Sequence, residues 1–73
     1  MAPAKPTYTQ HALDQMTLRN ISEAEVELAI SGHHTRYVDR KGNPIYIGSV
    51  SGRRIKVVVA KDSDPPHVIT AAD

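Results

Sequence analysis

The feature that most constrains this chain is a change of hydrophobic period at Gly32. Before it, apolar residues recur at helical spacing; after it, they recur at every second residue. The change happens once and does not reverse. Such a chain forms its helices first and its strands afterwards, which is the α+β class and not an alternating α/β one.

The first half carries two helices. Ala12, Leu13 and Met16 share one helical face, so a helix is predicted over about residues 9–19. Thr7 or Thr9 supplies its cap, and Asn20 stops it because Asn tolerates the left-handed backbone. Ser22-x-x-Glu25 is a capping box: the hydroxyl accepts from the third helical amide while the Glu reaches back. Ile21 and Val26 form the staple across this cap. Val26, Ala29 and Ile30 make the buried stripe, Leu28 flanks it, and Glu23, Glu25 and Glu27 face water. Gly32 ends the second helix as the glycine after its C-terminus.

Four strands are predicted after it. Thr35 to Asp39 is the first, and Arg40-Lys41-Gly42-Asn43-Pro44 is a turn of breakers. Ile45 to Val50 and Arg53 to Ala60 flank the tight Ser51-Gly52 hairpin turn. Asp62-Ser63-Asp64-Pro65-Pro66 cannot stay in a sheet, and His67 to Ala72 is the last strand. The expected architecture is ααββββ: two N-terminal helices packed on one face of a four-stranded antiparallel sheet. Strand parity then sorts the side chains. With Ile55, Val57 and Val59 toward the helices, Arg54, Lys56 and Val58 point away. With Ile45 and Ile47 inward, Tyr46 points away; with Ile69 and Ala71 inward, Val68 and Thr70 point away. Tyr46, Arg54, Lys56 and Thr70 would then share the open face, unless a register slip reverses it.

Composition narrows the function classes. Seventy-three residues without Trp or Phe make one domain, 1–73, with an Ile/Val/Leu/Ala/Met core. Such a core supplies about 3–5 kcal/mol, so a partner or a homodimer is a reasonable further source of stability. Residues 1–6 read as a short disordered arm without a signal core. With no Cys, disulfides and Cys-type zinc sites are excluded, and a reducing cytoplasmic setting fits. No apolar run of about 18 residues exists to span a membrane. Charge is unevenly placed. Residues 1–32 hold Lys5 and Arg19 against Asp14, Glu23, Glu25 and Glu27, whereas residues 36–56 hold six cations against Asp39 alone. An acidic helical half and a basic strand half are what an anion-binding sheet presents; solvated strand edges give the same pattern.

The run His11-Ala12 … Met16 … Arg19-Asn20-Ile21-Ser22 … Val26 … Ala29-Ile30 … Gly32, then Gly52-Arg53 … Val57-Val58-Val59 … Val68-Ile69-Thr70-Ala71, resembles the small bacterial domain of unknown function 4258. The resemblance spans nearly the whole chain. It implies a fold of the group that holds RelE-type toxins, barnase and EndoU-type ribonucleases, and with it a toxin-like module that binds or cleaves RNA without a metal. An antitoxin-like protein partner is implied by the same analogy. Three positions depart from the family pattern: Gln15 stands where Arg is usual, Asn20 where Gly is usual and Ala72 where Tyr is usual.

Cleavage by the 2′-hydroxyl route needs an acid–base group and a cation for the phosphorane. His11 is the candidate acid or base. Arg19, Arg54 and Lys56 are candidates to hold phosphate, Thr70 to donate to it, and Tyr46 to stack on a base. Each also has a structural role open to it: His11 as a cap, Arg19 as a tie for the inter-helix turn, Tyr46 as cover for the sheet, Thr70 as a strand former. The adjacent His33 and His34 point oppositely on a strand and suit no shared metal, and nothing calls for a cofactor. The leading expectation is a small RNA-binding or RNA-cleaving domain. The alternative, from another class, is a non-catalytic protein-interaction module that forms a homodimer.

Overall fold

The computed structural model describes residues 5–73; apart from Lys5 and Pro6, the expected N-terminal arm lies outside the described residues. Helix α1 (Gln10–Arg19) is capped by Thr9 and not Thr7: Thr9 Oγ1 accepts from the Ala12 amide at 3.0 Å. Asn20 ends it in the left-handed conformation at φ 55°, and its N–H donates to the Met16 and Thr17 carbonyls. Helix α2 (Glu23–Ser31) has the full capping box. Ser22 Oγ accepts from the Glu25 amide at 3.1 Å, and Glu25 Oε1 accepts from the Ser22 amide at 2.9 Å. Gly32 closes α2 as expected, with φ −110° and its N–H donating to the Leu28 carbonyl.

The sheet corrects the expected architecture. It has five strands in the order β1-β5-β4-β3-β2: β1 (Thr7–Tyr8), β2 (Thr35–Val38), β3 (Pro44–Val50), β4 (Arg53–Val59) and β5 (His67–Ala72). It is mixed, because β1 runs parallel to β5, with Thr7 opposite His67 and Tyr8 opposite Val68. The other neighbours are antiparallel. A strand of two residues between Pro6 and a helix cap leaves no period-two signature, and its partner is at the far end of the chain.

Both helices do pack on one face. Ala12 and Met16 of α1 and Val26 and Ala29 of α2 form one core with Val50, Ile55, Val57, Val59, Val68 and Ala71. The parity expected for β4 holds. The parity expected for β3 is reversed: Tyr46 is opposite Val57 and Gly48 opposite Ile55, so Tyr46, Gly48 and Val50 face the helices. Ile45 and Ile47 turn away, opposite Val58 and Lys56. The cause is Gly48. A Cβ there would stand 3.0 Å from both Ala29 Cα and Ala29 O, so α2 lies against bare backbone. In β5, Thr70 and Ala71 face as expected, but Val68 and not Ile69 is buried. A bulge sets Val59 opposite Val68 and Val58 opposite Thr70, leaving Ile69 as the extra residue. No helix among the described residues is long and apolar enough to cross a membrane.

Tyr8 carries an unusual polar group into this layer. Its ring packs against the core, and its hydroxyl is buried with no hydrogen-bond partner among the described residues. Burial, followed by the charges of Glu23 and Glu27, pushes its pKa up to about 12 from 10.0.

Two outcomes follow from this packing. Gly48→Ala forces the α2 backbone off the sheet and lowers stability by about 1–3 kcal/mol in urea unfolding. Tyr8→Phe removes an orphaned hydroxyl and raises stability by about 1 kcal/mol. The unfolded phenol ionises from pH 10.0 while the folded one resists to about 12, so the wild type loses stability as pH rises across that window. Thermal melts of Tyr8→Phe between these pH values show a shallower alkaline decline.

Candidate nucleic-acid interface

The face opposite the helices has an aliphatic centre and a polar rim. Its residues follow from the ladder. Tyr37 is opposite Ile45, which is opposite Val58, which is opposite Thr70. In the neighbouring row Thr35 is opposite Ile47, Ile47 opposite Lys56, and Lys56 opposite Ala72. Ser49 and Arg54 form a further pair. Among the described residues no helix covers this face, yet Ile45 and Ile47 are only 6% and 5% exposed. They stand between strands that carry Tyr37, Thr35, Val58 and the Lys56 stem, and long side chains of this kind cover apolar neighbours while keeping their heads in water.

Three of the residues expected together on this face are there: Arg54, Lys56 and Thr70. Arg54 and Lys56 are exposed, and neither side chain makes a hydrogen bond or ion pair among the described residues. Tyr46 is not with them. It lies on the helix side, where the His33 ring meets it edge-on at 4.9 Å and the Arg36 guanidinium sits 5.5 Å from its centroid. Tyr37 occupies the outward aromatic position instead and is 44% exposed. His11 is also elsewhere: it is exposed on α1, in the helical layer, away from Arg54 and Lys56.

Arg19 belongs to a different cluster, built round Arg53. The Arg53 guanidinium donates to the Asn20 carbonyl at 2.9 Å, the Arg19 carbonyl at 2.8 Å and Asp73 Oδ2 at 2.6 Å. Glu25 adds an ion pair at 3.8 Å. Arg19 itself donates to Gln15 Oε1 at 3.1 Å and to Asp73 Oδ1 at 3.3 Å. A cation here satisfies carbonyls that α1 leaves open and sits at the negative end of its dipole. The hydrogen bond from Arg53 holds the Asp73 carboxyl below its usual range and, in return, raises the Arg53 pKa. The Ser22 amide does the same for Glu25, and the Asn43 amide for Asp39. The Arg19 side chain thus ties α1 to Asp73, and the tie expected of it at the inter-helix turn is made by Arg53.

Among the described residues no three His, Asp or Glu side chains converge as metal ligands. His33 Nδ1–H donates to the Ile30 carbonyl at 2.8 Å, and His34 Nδ1 bonds with Thr35 Oγ1 at 3.0 Å.

The face holds two groups that the strand pattern did not single out. Tyr37 becomes legible once Gly48 is placed toward α2, because the hairpin then carries β2 with it. His67 is the other, opposite Thr7 across the β1–β5 pair, with its Nδ1 2.6 Å from Thr7 Oγ1.

The carboxylate tie at the end of β5 sets an acid limit. The folded Asp73 pKa lies below the unfolded 3.8, so its contribution is present above that value and is lost as pH falls through the folded pKa. In Asp73→Asn, melting temperature followed downward from pH 5 drops less steeply than in the wild type.

No curated protein and no solved structure matches this chain. A family model matches residues 8–73, from the strand that opens the sheet to the carboxylate that closes the Arg53 cluster. Over that span the chain belongs to the family described as domain of unknown function DUF4258.

Proposed function

We propose that this domain binds single-stranded RNA on the helix-free face of its sheet. The observation that carries the proposal is the pair of cations without partners among the described residues, Arg54 and Lys56, on the same face as Thr70 and the buried Ile45–Ile47 centre. A strand of phosphates needs cations in a row and flat groups for its bases. Arg54 and Lys56 alternate with Ile55 on one strand, so both heads emerge on the same side. Tyr37 supplies an exposed ring on the same face, across the Ile45 row. Thr70 adds a hydroxyl donor for phosphate. The fold group of toxin-like ribonucleases, which the sequence resemblance implies, points to the same class of ligand.

Fluorescence anisotropy with a labelled mixed-sequence oligoribonucleotide tests this directly. Affinity falls with salt, and Arg54→Ala and Lys56→Ala each flatten the log–log slope by about 0.7. Tyr37→Ala costs about 1–3 kcal/mol of binding with the slope unchanged. Arg53→Ala, which lies in the helix-side cluster, leaves the slope as it is. Absence of salt-dependent binding, or an unchanged slope in Arg54→Ala, rejects the interface.

The second reading is a protein-interaction module. It draws on the helix side and the β2 edge, where Leu18, Leu28 and Val38 are exposed and every residue of β2 is accessible. A homodimer or an antitoxin-like partner would meet the chain there. Sedimentation at increasing concentration separates the cases: a monomer throughout removes the homodimer.

A further inference from the structure

We propose that β2 seats a second copy of this chain, paired antiparallel about Tyr37, and that the two copies share one RNA-binding face. The pairing rests on β2 alone; the role of the joined face rests on the RNA-binding reading of the helix-free side. The sheet has two edges, β1 and β2. β1 has two residues, whereas β2 has four, all exposed, with Tyr37 at 44% and Val38 at 55%. An edge is kept apart from its own copies by being short or by projecting charge. β1 uses the first device. β2 does not use the second, because the guanidinium of Arg36, its one charged residue, is folded back over the Tyr46 ring, 5.5 Å from the centroid.

The register of β2 on β3 decides which backbone groups are open. The Asp39 N–H donates to the Asn43 carbonyl at 3.0 Å, one step beyond the Val38–Pro44 pair. By alternation Tyr37 and Thr35 also turn their N–H and C=O toward β3, and Arg36 and Val38 turn theirs outward. Pro44 agrees with this parity: it has no N–H to offer, and it stands opposite Val38. Beyond the sheet, neither Arg36 nor Val38 makes a backbone hydrogen bond among the described residues. A second β2 laid along this edge takes up both pairs of groups.

Charge then selects the register. A two-fold axis can centre the pair on Arg36, Tyr37 or Val38. Centred on Arg36, Arg36 meets the partner's Arg36. Centred on Val38, Arg36 meets the partner's Arg40. Centred on Tyr37, Arg36 meets the partner's Val38, Val38 meets the partner's Arg36, and Thr35 meets the partner's Asp39. Only this register keeps Arg from standing opposite Arg, and like charges directly opposite destabilise a strand pair. Each Arg36–Val38 pair exchanges its outward N–H and C=O groups. The axis stands normal to the sheet, so both helical layers lie on one side and both helix-free faces on the other. Tyr37 and the partner's Tyr37 form the central pair, their Cα atoms about 4.5 Å apart. The two rings stand side by side, with a set of Arg54 and Lys56 on either flank. Four residues a side make a small interface, so dimer formation follows concentration.

Sedimentation velocity over a range of concentrations reads the pairing. The wild type is expected to pass from monomer to dimer. Val38→Pro deletes an outward N–H and no bond to β3, and is expected to stay monomeric with an unchanged circular dichroism spectrum. Val38→Lys sets Lys against the partner's Arg36 and weakens association about tenfold. Adding Arg36→Glu to Val38→Lys restores it, because Glu faces Lys in this register alone. Should Val38→Pro unfold, Val38→Lys and the double variant carry the comparison. A wild type monomeric at every concentration, a dimer that Val38→Pro leaves intact, or no restoration in the double variant overturns the pairing. For the joined face, anisotropy uses labelled RNAs of roughly 20 and roughly 5 nucleotides. Val38→Pro loses about tenfold or more in affinity for the long RNA and none for the short one. Equal binding of the long RNA by wild type and Val38→Pro overturns the joined face. A dimer that binds neither RNA upholds the pairing and overturns both the joined face and the RNA-binding reading.

Discussion

The structure depends on the contact between α2 and the bare backbone of β3 at Gly48. Ala29 on the helix and Gly48 on the strand are both small, and a Cβ on Gly48 would meet Ala29 at 3.0 Å. Strand alternation turns this one approach into a decision about every neighbour. With Gly48 toward the helix, Tyr46 and Val50 go the same way. Ile45 and Ile47 go the other way and become the centre of the uncovered face. The helical layer thus determines what the opposite surface is made of without touching it.

A second constraint holds the chain's distant parts together. Arg53 opens β4 and reaches the Arg19 and Asn20 carbonyls, the capping Glu25 and Asp73 after β5. It joins the inter-helix turn to the last residue of the chain. At the other end of β5, β1 adds a parallel pair and delivers Thr9 to cap α1. Thr9 Oγ1 also lies 2.9 Å from the Ile69 carbonyl, at the bulged residue. Both ends of β5 are therefore tied to α1, and this fixes where Thr70 and His67 stand.

What the sequence disclosed was local chemistry. The capping box of Ser22 and Glu25 needs only four residues, and it formed with both hydrogen bonds. Asn20 took the left-handed backbone, the conformation that the family's usual Gly would also supply. The alternation of β4 was legible because Ile55, Val57 and Val59 are all apolar and Arg54 and Lys56 are not. Three things were hidden for stated reasons. β1 is too short to have a period. The bulge at Ile69 inserts a residue that alternation cannot register. β3 reads as Ile-Tyr-Ile-Gly, and hydrophobicity favours the isoleucines inward, whereas the fit of Ala29 against Gly48 outweighs it. Of the candidate site, the Arg54–Lys56–Thr70 group came from the strand pattern. Tyr37 and His67 needed the register of β2 and β1.

The burial of Ile45 and Ile47 decides which kind of ligand suits the open face. A protein partner binds chiefly by removing apolar surface from water. Here the apolar centre is already out of water, at 6% and 5% exposure, so a flat protein surface gains little from covering it. What is still exposed is the rim: two cations without partners among the described residues, a tyrosine ring and hydroxyls. Such a rim suits a polyanion with flat bases, whose affinity comes from charge and stacking. The exposed leucines are elsewhere, on the helices, with Leu18 at 77%. The two functional readings therefore share only the β2 edge, where Tyr37 stands. A protein seated on the helices alone would leave Lys56 and Arg54 open to RNA.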